Sequence, residues 1–322
     1  HRLVHRLIHS LAHLLIRSPT FLMVRQILGR GWLLRPFRPP NYRHPMADHD
    51  QEPSDAGTDR VGPFGEAATY ERDGHVATIT YNRPEALNAV NRDLRRDLNA
   101  AWEMFMADEE AWVAILTGAG DRAFCAGADL ADGGGSAGDF PGTFWEKPTV
   151  NSFESGLEVF KPTIAAVNGH CIGYGLTAVV ACDFVLASER ATFAWPEVTL
   201  GIPTIVGAIR LPRRIAWADA MELLLTGESV DAERAAAMGL VWRISNHDQL
   251  MDDALSLADR LCRAAPLAVR ATKEVAVRAR SMPWTEAVRF GETMRLVAAS
   301  TDDAAEGRLA RSDRRPPEWQ GR

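Results

Sequence analysis

The sequence predicts an α/β fold, and two observations carry that prediction. From about Tyr70 onward, short runs of β-branched and aromatic residues alternate with longer helical patterns. The last ~75 residues then hold helical patterns without a convincing strand. Such alternation is the α/β signature.

Taken in order, residues 76–81, 112–116, 163–167, 184–187 and 241–244 read as strands. Leu94, Leu98, Trp102 and Phe105 mark one apolar face of a helix over 91–107. Asp231 and Glu233 open a short helix that Gly239 closes as a C′ residue. Further helices are expected over 251–263, 266–280, 284–299 and 302–311. This tail can pack on its own core or on a neighbouring subunit. Its apolar positions Leu257, Leu261, Val269, Trp284, Val288 and Met294 predict oligomerisation.

With 322 residues, 46% hydrophobic and 24% charged, the chain can bury a sizeable core. A formal charge of -6 leaves no basic field for a nucleic-acid backbone, so no nucleic-acid partner is expected. Cys125, Cys171, Cys182 and Cys262 form no CxxC pair and sit in apolar runs. They read as small buried thiols rather than a zinc or disulfide framework, which predicts a reducing, cytoplasmic compartment and no metal.

Residues 1–65 differ from the rest and are expected to be a basic extension and polar linker outside the fold. The first 45 residues carry eight arginines from Arg2 to Arg43, with no acid before Asp48. Leucines at helical spacing and a row of His1, His5, His9 and His13 describe a basic amphipathic helix. It reads as a transit-like or membrane-surface segment, as a metal-binding row, or as upstream sequence foreign to the natural product. The polar stretch opened by Met46 favours the third. Arginines interrupt every apolar run short of the ~18–20 residues of a membrane span, so no transmembrane segment is expected.

Three segments carry chemistry. Residues 123–130 (Ala-Phe-Cys-Ala-Gly-Ala-Asp-Leu) are small enough for backbone N–H groups to approach a ligand. Residues 168–176 form a glycine-rich turn entering a helix, which aims free N–H groups at whatever sits there. No phosphate-loop or dinucleotide fingerprint accompanies that turn. In residues 194–201, Glu197 lies among apolar neighbours, where a carboxyl can move protons near neutral pH. Each segment alone is also compatible with ordinary packing.

Together with residues 82–89 (Asn-Arg-Pro-Glu-Ala-Leu-Asn-Ala), 224–227 and 235–241, these segments stand in the order and spacing of the crotonase (enoyl-CoA hydratase/isomerase) family, which the chain resembles over about 66–322. The resemblance implies a spiral of ββα turns over 66–250, then a helical trimerisation region over 251–322 and a homotrimer or hexamer. It implies an acyl-CoA substrate and no cofactor beyond the coenzyme A carried by that substrate. It assigns the oxyanion-hole amides to the N–H groups of Ala128 and Tyr174, with proton transfer to Glu197. The coenzyme A cradle falls on Arg83, Ala86, Leu87, Ala126, Asp129 and Leu130.

The departures bear on the reaction. Hydratases of this family hold water with two glutamates, and Thr177 occupies the first of those positions. A threonine orients water but is no general base at neutral pH. Ala131 stands where a lysine is common, which turns attention to Arg72, Arg311 or Arg314 for the coenzyme A phosphates. The insert over 131–155, with Gly133 to Gly135 and then Phe140, Phe144, Trp145 and Phe153, is expected over the acyl pocket or in local packing. Hydration of a 2-enoyl-CoA is the family default; a single carboxylate equally suits double-bond isomerisation, and an acyl-CoA-binding relative without turnover is the third possibility.

Overall fold

The computed structural model describes residues 65–132 and 152–322. The residues for which a basic N-terminal helix is expected, and the Gly133-to-Trp145 part of the insert, lie outside the described residues.

The described residues open with an antiparallel hairpin, β1 (Ala68–Asp73) and β2 (Val76–Tyr81), turning at Gly74. Helix α1 (Arg92–Ala107) follows, its start fixed by Asn91, whose side chain accepts the Leu94 N–H at 2.9 Å. A pattern then repeats. β3 (Val113–Gly118) is followed by β4 (Ala123–Cys125), β5 (Thr163–Val167) by β6 (His170–Ile172), and β7 (Phe184–Ser188) by β8 (Thr192–Ala194). The first member of each pair enters a six-stranded sheet ordered β1-β2-β3-β5-β7-β10, where β10 is Arg243–Ser245. The second enters a four-stranded sheet ordered β4-β6-β8-β9, where β9 is Val230–Asp231. This is the succession of ββα turns that the resemblance implies.

Burial explains why the central strands read as continuous apolar runs. In β3, Ala114 and Leu116 face the cluster that holds Leu94, Leu98, Trp102 and Phe105 of α1. Val113 and Ile115 face the opposite cluster, closed by Leu250, Ala254 and Leu257. A strand covered on both sides alternates between two apolar faces and loses the polar half of its pattern. Leu257 and Leu261 therefore pack against the chain's own sheet, instead of being free for a neighbour.

Interleaved with the strands from β6 to β10 are α2 (Tyr174–Val179), α3 (Val206–Arg210), α4 (Trp217–Thr226) and α5 (Ala232–Ala237). Asp231 caps α5 by accepting the Arg234 N–H at 2.8 Å, and Gly239 follows it with φ +82°. After Ser245 the regular elements are helical: α6 (Leu250–Cys262), α7 (Pro266–Arg278), α8 (Trp284–Ala299) and α9 (Asp302–Asp313). The strand expected over 241–244 forms over 243–245. The sequence reading missed β1, β4, β6, β8 and β9, most of them two or three residues long in small or polar sequence.

Two buried asparagines lock the corners between the sheets. Asn88 donates to Ala119 O and Ala123 O at 3.0 and 2.8 Å while accepting the Arg83 N–H at 2.9 Å. Asn168 donates to Gly118 O and Gly120 O at 2.9 and 2.7 Å. Satisfying corner carbonyls from side chains removes the penalty of burying irregular backbone.

Candidate active site

Strands β4, β6 and β8 run parallel, with Cys125 opposite Cys171 and Ile172 opposite Ala194. The residues that leave their carboxyl ends, 126–128, 173–174 and 195–197, therefore meet at one edge, the usual place for a ligand in such sheets.

The first arm is set by a short ladder against the loop after β2. Ala126 N donates to Leu87 O at 3.0 Å, Val90 N to Gly127 O at 2.8 Å and Asp129 N to Val90 O at 3.0 Å. Val90 and Ala128 thus form a parallel bridge whose bonds pass through the neighbours of Ala128. The N–H of Ala128 itself faces away from the ladder. Gly127 makes the turn with φ +97°.

The second arm begins with Gly173, at φ +53° and ψ −111°, whose N–H donates to Ala194 O at 2.9 Å. Tyr174 is the first residue of α2, so its N–H is among those the helix leaves without an internal partner. The third arm, a 3-10 turn over Pro196–Leu200, carries Glu197. A Cβ on Gly173 would lie 2.9 Å from Glu197 Oε1 and 3.9 Å from the Gly127 α-carbon, so all three arms converge. The other oxygen, Oε2, is buried with no hydrogen-bond partner among the described residues. A carboxylate oxygen left so is ready for a water or a substrate hydrogen.

Thr177 is placed otherwise than as a free water ligand. Its hydroxyl donates to Gly173 O and accepts from Trp195 Nε1, both at 3.1 Å, and its side chain is buried. It braces the second arm against the third.

The residues assigned to the coenzyme A cradle surround the first arm. Arg83 pairs with Asp129 at 3.0 Å and donates to Ala89 O at 2.5 Å, so these two charges hold the loop and the first arm together. Leu87 adopts φ +51° at the end of the Pro84–Ala86 turn, placing its carbonyl on Ala126. Leu130 is 69% exposed. Of the phosphate candidates, Arg72 is held by Asp108 and Gly74 O, whereas Arg311 and Arg314 are exposed at the end of α9.

Sequence reasoning missed Glu154. This buried carboxylate accepts through one oxygen from Ser152 Oγ at 2.5 Å and from the Tyr174 hydroxyl. Burial and the Glu154 charge push the Tyr174 phenol well above its usual range. Phe153 beside it stacks on Trp102 at 3.9 Å, which resolves that aromatic as local packing. His170, exposed, meets Thr192 Oγ1 at 2.8 Å, and burial drives the Cys171 thiol far up, so neither enters the converging group.

The enoyl-CoA hydratase/isomerase family model matches residues 71–322. The chain belongs to this family. Among curated enoyl-CoA hydratase/isomerase relatives, it is 37% identical over 256 residues to an (E)-benzylidenesuccinyl-CoA hydratase of Thauera aromatica, covering 79% of this chain and 98% of that one. It is 38% identical over 268 residues to a carnitinyl-CoA dehydratase of Escherichia coli K12, covering 80% and 100%. The crystal structure of an enoyl-CoA hydratase from Mycobacterium tuberculosis H37Rv superposes with a TM-score of 0.72 at 34% identity, over 80% of this chain and all of that one. As a family member the protein is an enzyme acting on CoA thioesters.

Proposed function

We propose that the enzyme adds water across the double bond of a 2-enoyl-CoA, or removes it in reverse, using Glu197 and the N–H groups of Ala128 and Tyr174. The observation that carries this reading is the convergence of Glu197 Oε1 and the Gly127 α-carbon on Gly173, which brings the acid to the residues that precede the two amides.

In the forward direction the two N–H groups hold the thioester oxygen. Water forms its bond to Cβ and gives a proton to Glu197, and the π electrons move onto the carbonyl oxygen as an enolate. Glu197 then returns the proton to Cα as the enolate collapses to the thioester. One carboxylate thus serves both transfers, and each oxyanion donor contributes roughly 3–4 kcal/mol to the barrier reduction by analogy with other such sites. No cofactor is needed beyond the coenzyme A of the substrate. Arg83, Ala86, Leu87, Ala126, Asp129 and Leu130 form or support its cradle. The relatives, named a hydratase and a dehydratase, act in this class of chemistry.

The commitment of the Thr177 hydroxyl to Gly173 and Trp195 favours a second reading, in which Glu197 moves a proton between Cα and Cγ as an isomerase. Purified enzyme incubated with crotonyl-CoA and with a 3-enoyl-CoA separates the two. Loss of the conjugated thioester absorbance from crotonyl-CoA supports hydration, whereas its appearance from the 3-enoyl ester alone supports isomerisation.

The assembly is proposed to be a homotrimer or a pair of trimers. Trp284 is 83% exposed, and Val288, Leu296 and Val297 on the same helix are also open, apolar side chains of a kind that subunit contacts cover.

A further inference from the structure

Resting on the reading of Tyr174 as a holder of the thioester carbonyl, we propose that Arg95 selects acyl chains bearing a second carboxylate. Arg95 lies on α1, close after Val90, the residue bridged to Ala128. Its guanidinium stands 5.1 Å from the centroid of the Tyr174 ring. A half-buried cation is therefore one side chain away from the amide that would hold the substrate.

The neighbouring arginines are engaged. Arg83 pairs with Asp129, and Arg96 pairs with Asp93 and Asp97. Arg95 pairs with no carboxylate of the described residues; it lies against the aromatic face of Tyr174, which leaves its planar fork of N–H donors open to a ligand acceptor. That fork matches a carboxylate in bidentate geometry.

Glu154, on the same tyrosine, would argue for a cationic chain instead. Its Oε1 is already filled by the hydroxyls of Ser152 and Tyr174, and its backbone carbonyl is held by Arg210 Nε at 3.2 Å. The acid of this cluster has donors, and its guanidinium has no carboxylate acceptor among the described residues. An anionic acyl end supplies what is missing.

The test compares binding of two saturated five-carbon esters, glutaryl-CoA and pentanoyl-CoA, by isothermal titration calorimetry, so that no turnover is required. The wild-type enzyme should bind glutaryl-CoA at least about tenfold more tightly, as expected for a charge-assisted pair. Arg95→Gln should bring the ratio to within about twofold of unity, and Arg95→Lys should keep part of it. A wild-type ratio near unity, or a preference that survives Arg95→Gln, overturns the proposal. So does tighter binding of an acyl-CoA ending in a quaternary ammonium, which would hand the role to Glu154. The wild-type ratio decides even if a variant fails to fold. If the preference is present and lost in Arg95→Gln, yet neither glutaconyl-CoA nor crotonyl-CoA is turned over, the hydratase reading fails and the role of Arg95 stands.

Discussion

Glu197 lies against Gly173 so closely that any side chain at 173 collides with the carboxylate: a Cβ would sit 2.9 Å from Oε1 on a backbone with φ +53°. Gly173 is thus the hinge between the glycine-rich turn and the acid. Gly173→Ala should cost stability on the order of 1–3 kcal/mol through backbone strain. It should also lower kcat/KM for crotonyl-CoA by about a hundredfold, because the carboxylate must shift. Thermal melting and steady-state rates on one preparation test both. A variant with normal kinetics would show that Glu197 need not sit where it does.

Glu197→Gln keeps the shape of the site and removes its proton carrier. Turnover should fall by about 10²–10⁴-fold, the range for a lost general acid–base. Affinity for a saturated acyl-CoA should change little, since the amides of Ala128 and Tyr174 remain. Near-normal turnover in this variant would eliminate Glu197 as the shuttle.

Thr177 separates a bracing role from a chemical one. Thr177→Val keeps the volume and strips the partner from Trp195 Nε1, a buried donor. The expected loss is about 1–3 kcal/mol of stability, with a smaller kinetic defect than Glu197→Gln. If kcat falls as far as in Glu197→Gln while the melting temperature holds, Thr177 acts on the reacting water after all.

The α/β class was legible because the β3, β5 and β7 cores are apolar on both faces and α1 shows a clean helical stripe. The site was legible in part. Ala128, Tyr174 and Glu197 sit in motifs whose spacing survives in the chain, and β4, β6 and β8 bring those motifs to one edge. The strands themselves were invisible, since three residues such as Thr192–Ala194 cannot display a period. Glu154 was invisible for another reason. Its meaning lies in a contact with Tyr174, 20 residues away, and no local pattern around Ser152 announces it. The pairing of Arg83 with Asp129 spans 46 residues, and two charges assigned to a ligand proved to hold each other.

The exposed apolar side chains of α8 yield a prediction about assembly. Trp284 and Leu296 are 83% and 63% exposed. Light scattering at micromolar concentration should report a trimer or hexamer, and Trp284→Asp with Leu296→Asp should shift it towards monomer. A wild-type monomer would leave these side chains without the proposed neighbour.

The last prediction concerns the C-terminal tail, which is pinned back onto α9 and the end of α6. Arg315 grips Glu306 through two contacts of 2.6 and 2.8 Å, Glu318 N donates to Glu306 Oε1 at 2.8 Å, and Trp319 Nε1 reaches Arg263 O at 2.9 Å. The Arg315 hydrogen bond, aided by the Glu318 N–H, pulls the Glu306 carboxyl down to about 2 from 4.5. A carboxyl with a lowered folded-state pKa binds fewer protons folded than unfolded between those two values, so its stabilisation is full above about 4.5 and drains as pH falls towards about 2. Melting temperatures of the wild-type enzyme and Glu306→Gln should therefore differ most above pH 4.5 and converge on acidification. The pair is solvent-facing, so added salt should narrow the gap as well. A difference that stays constant across this pH window would show that Glu306 contributes through packing or its amide-compatible contacts, not through its charge.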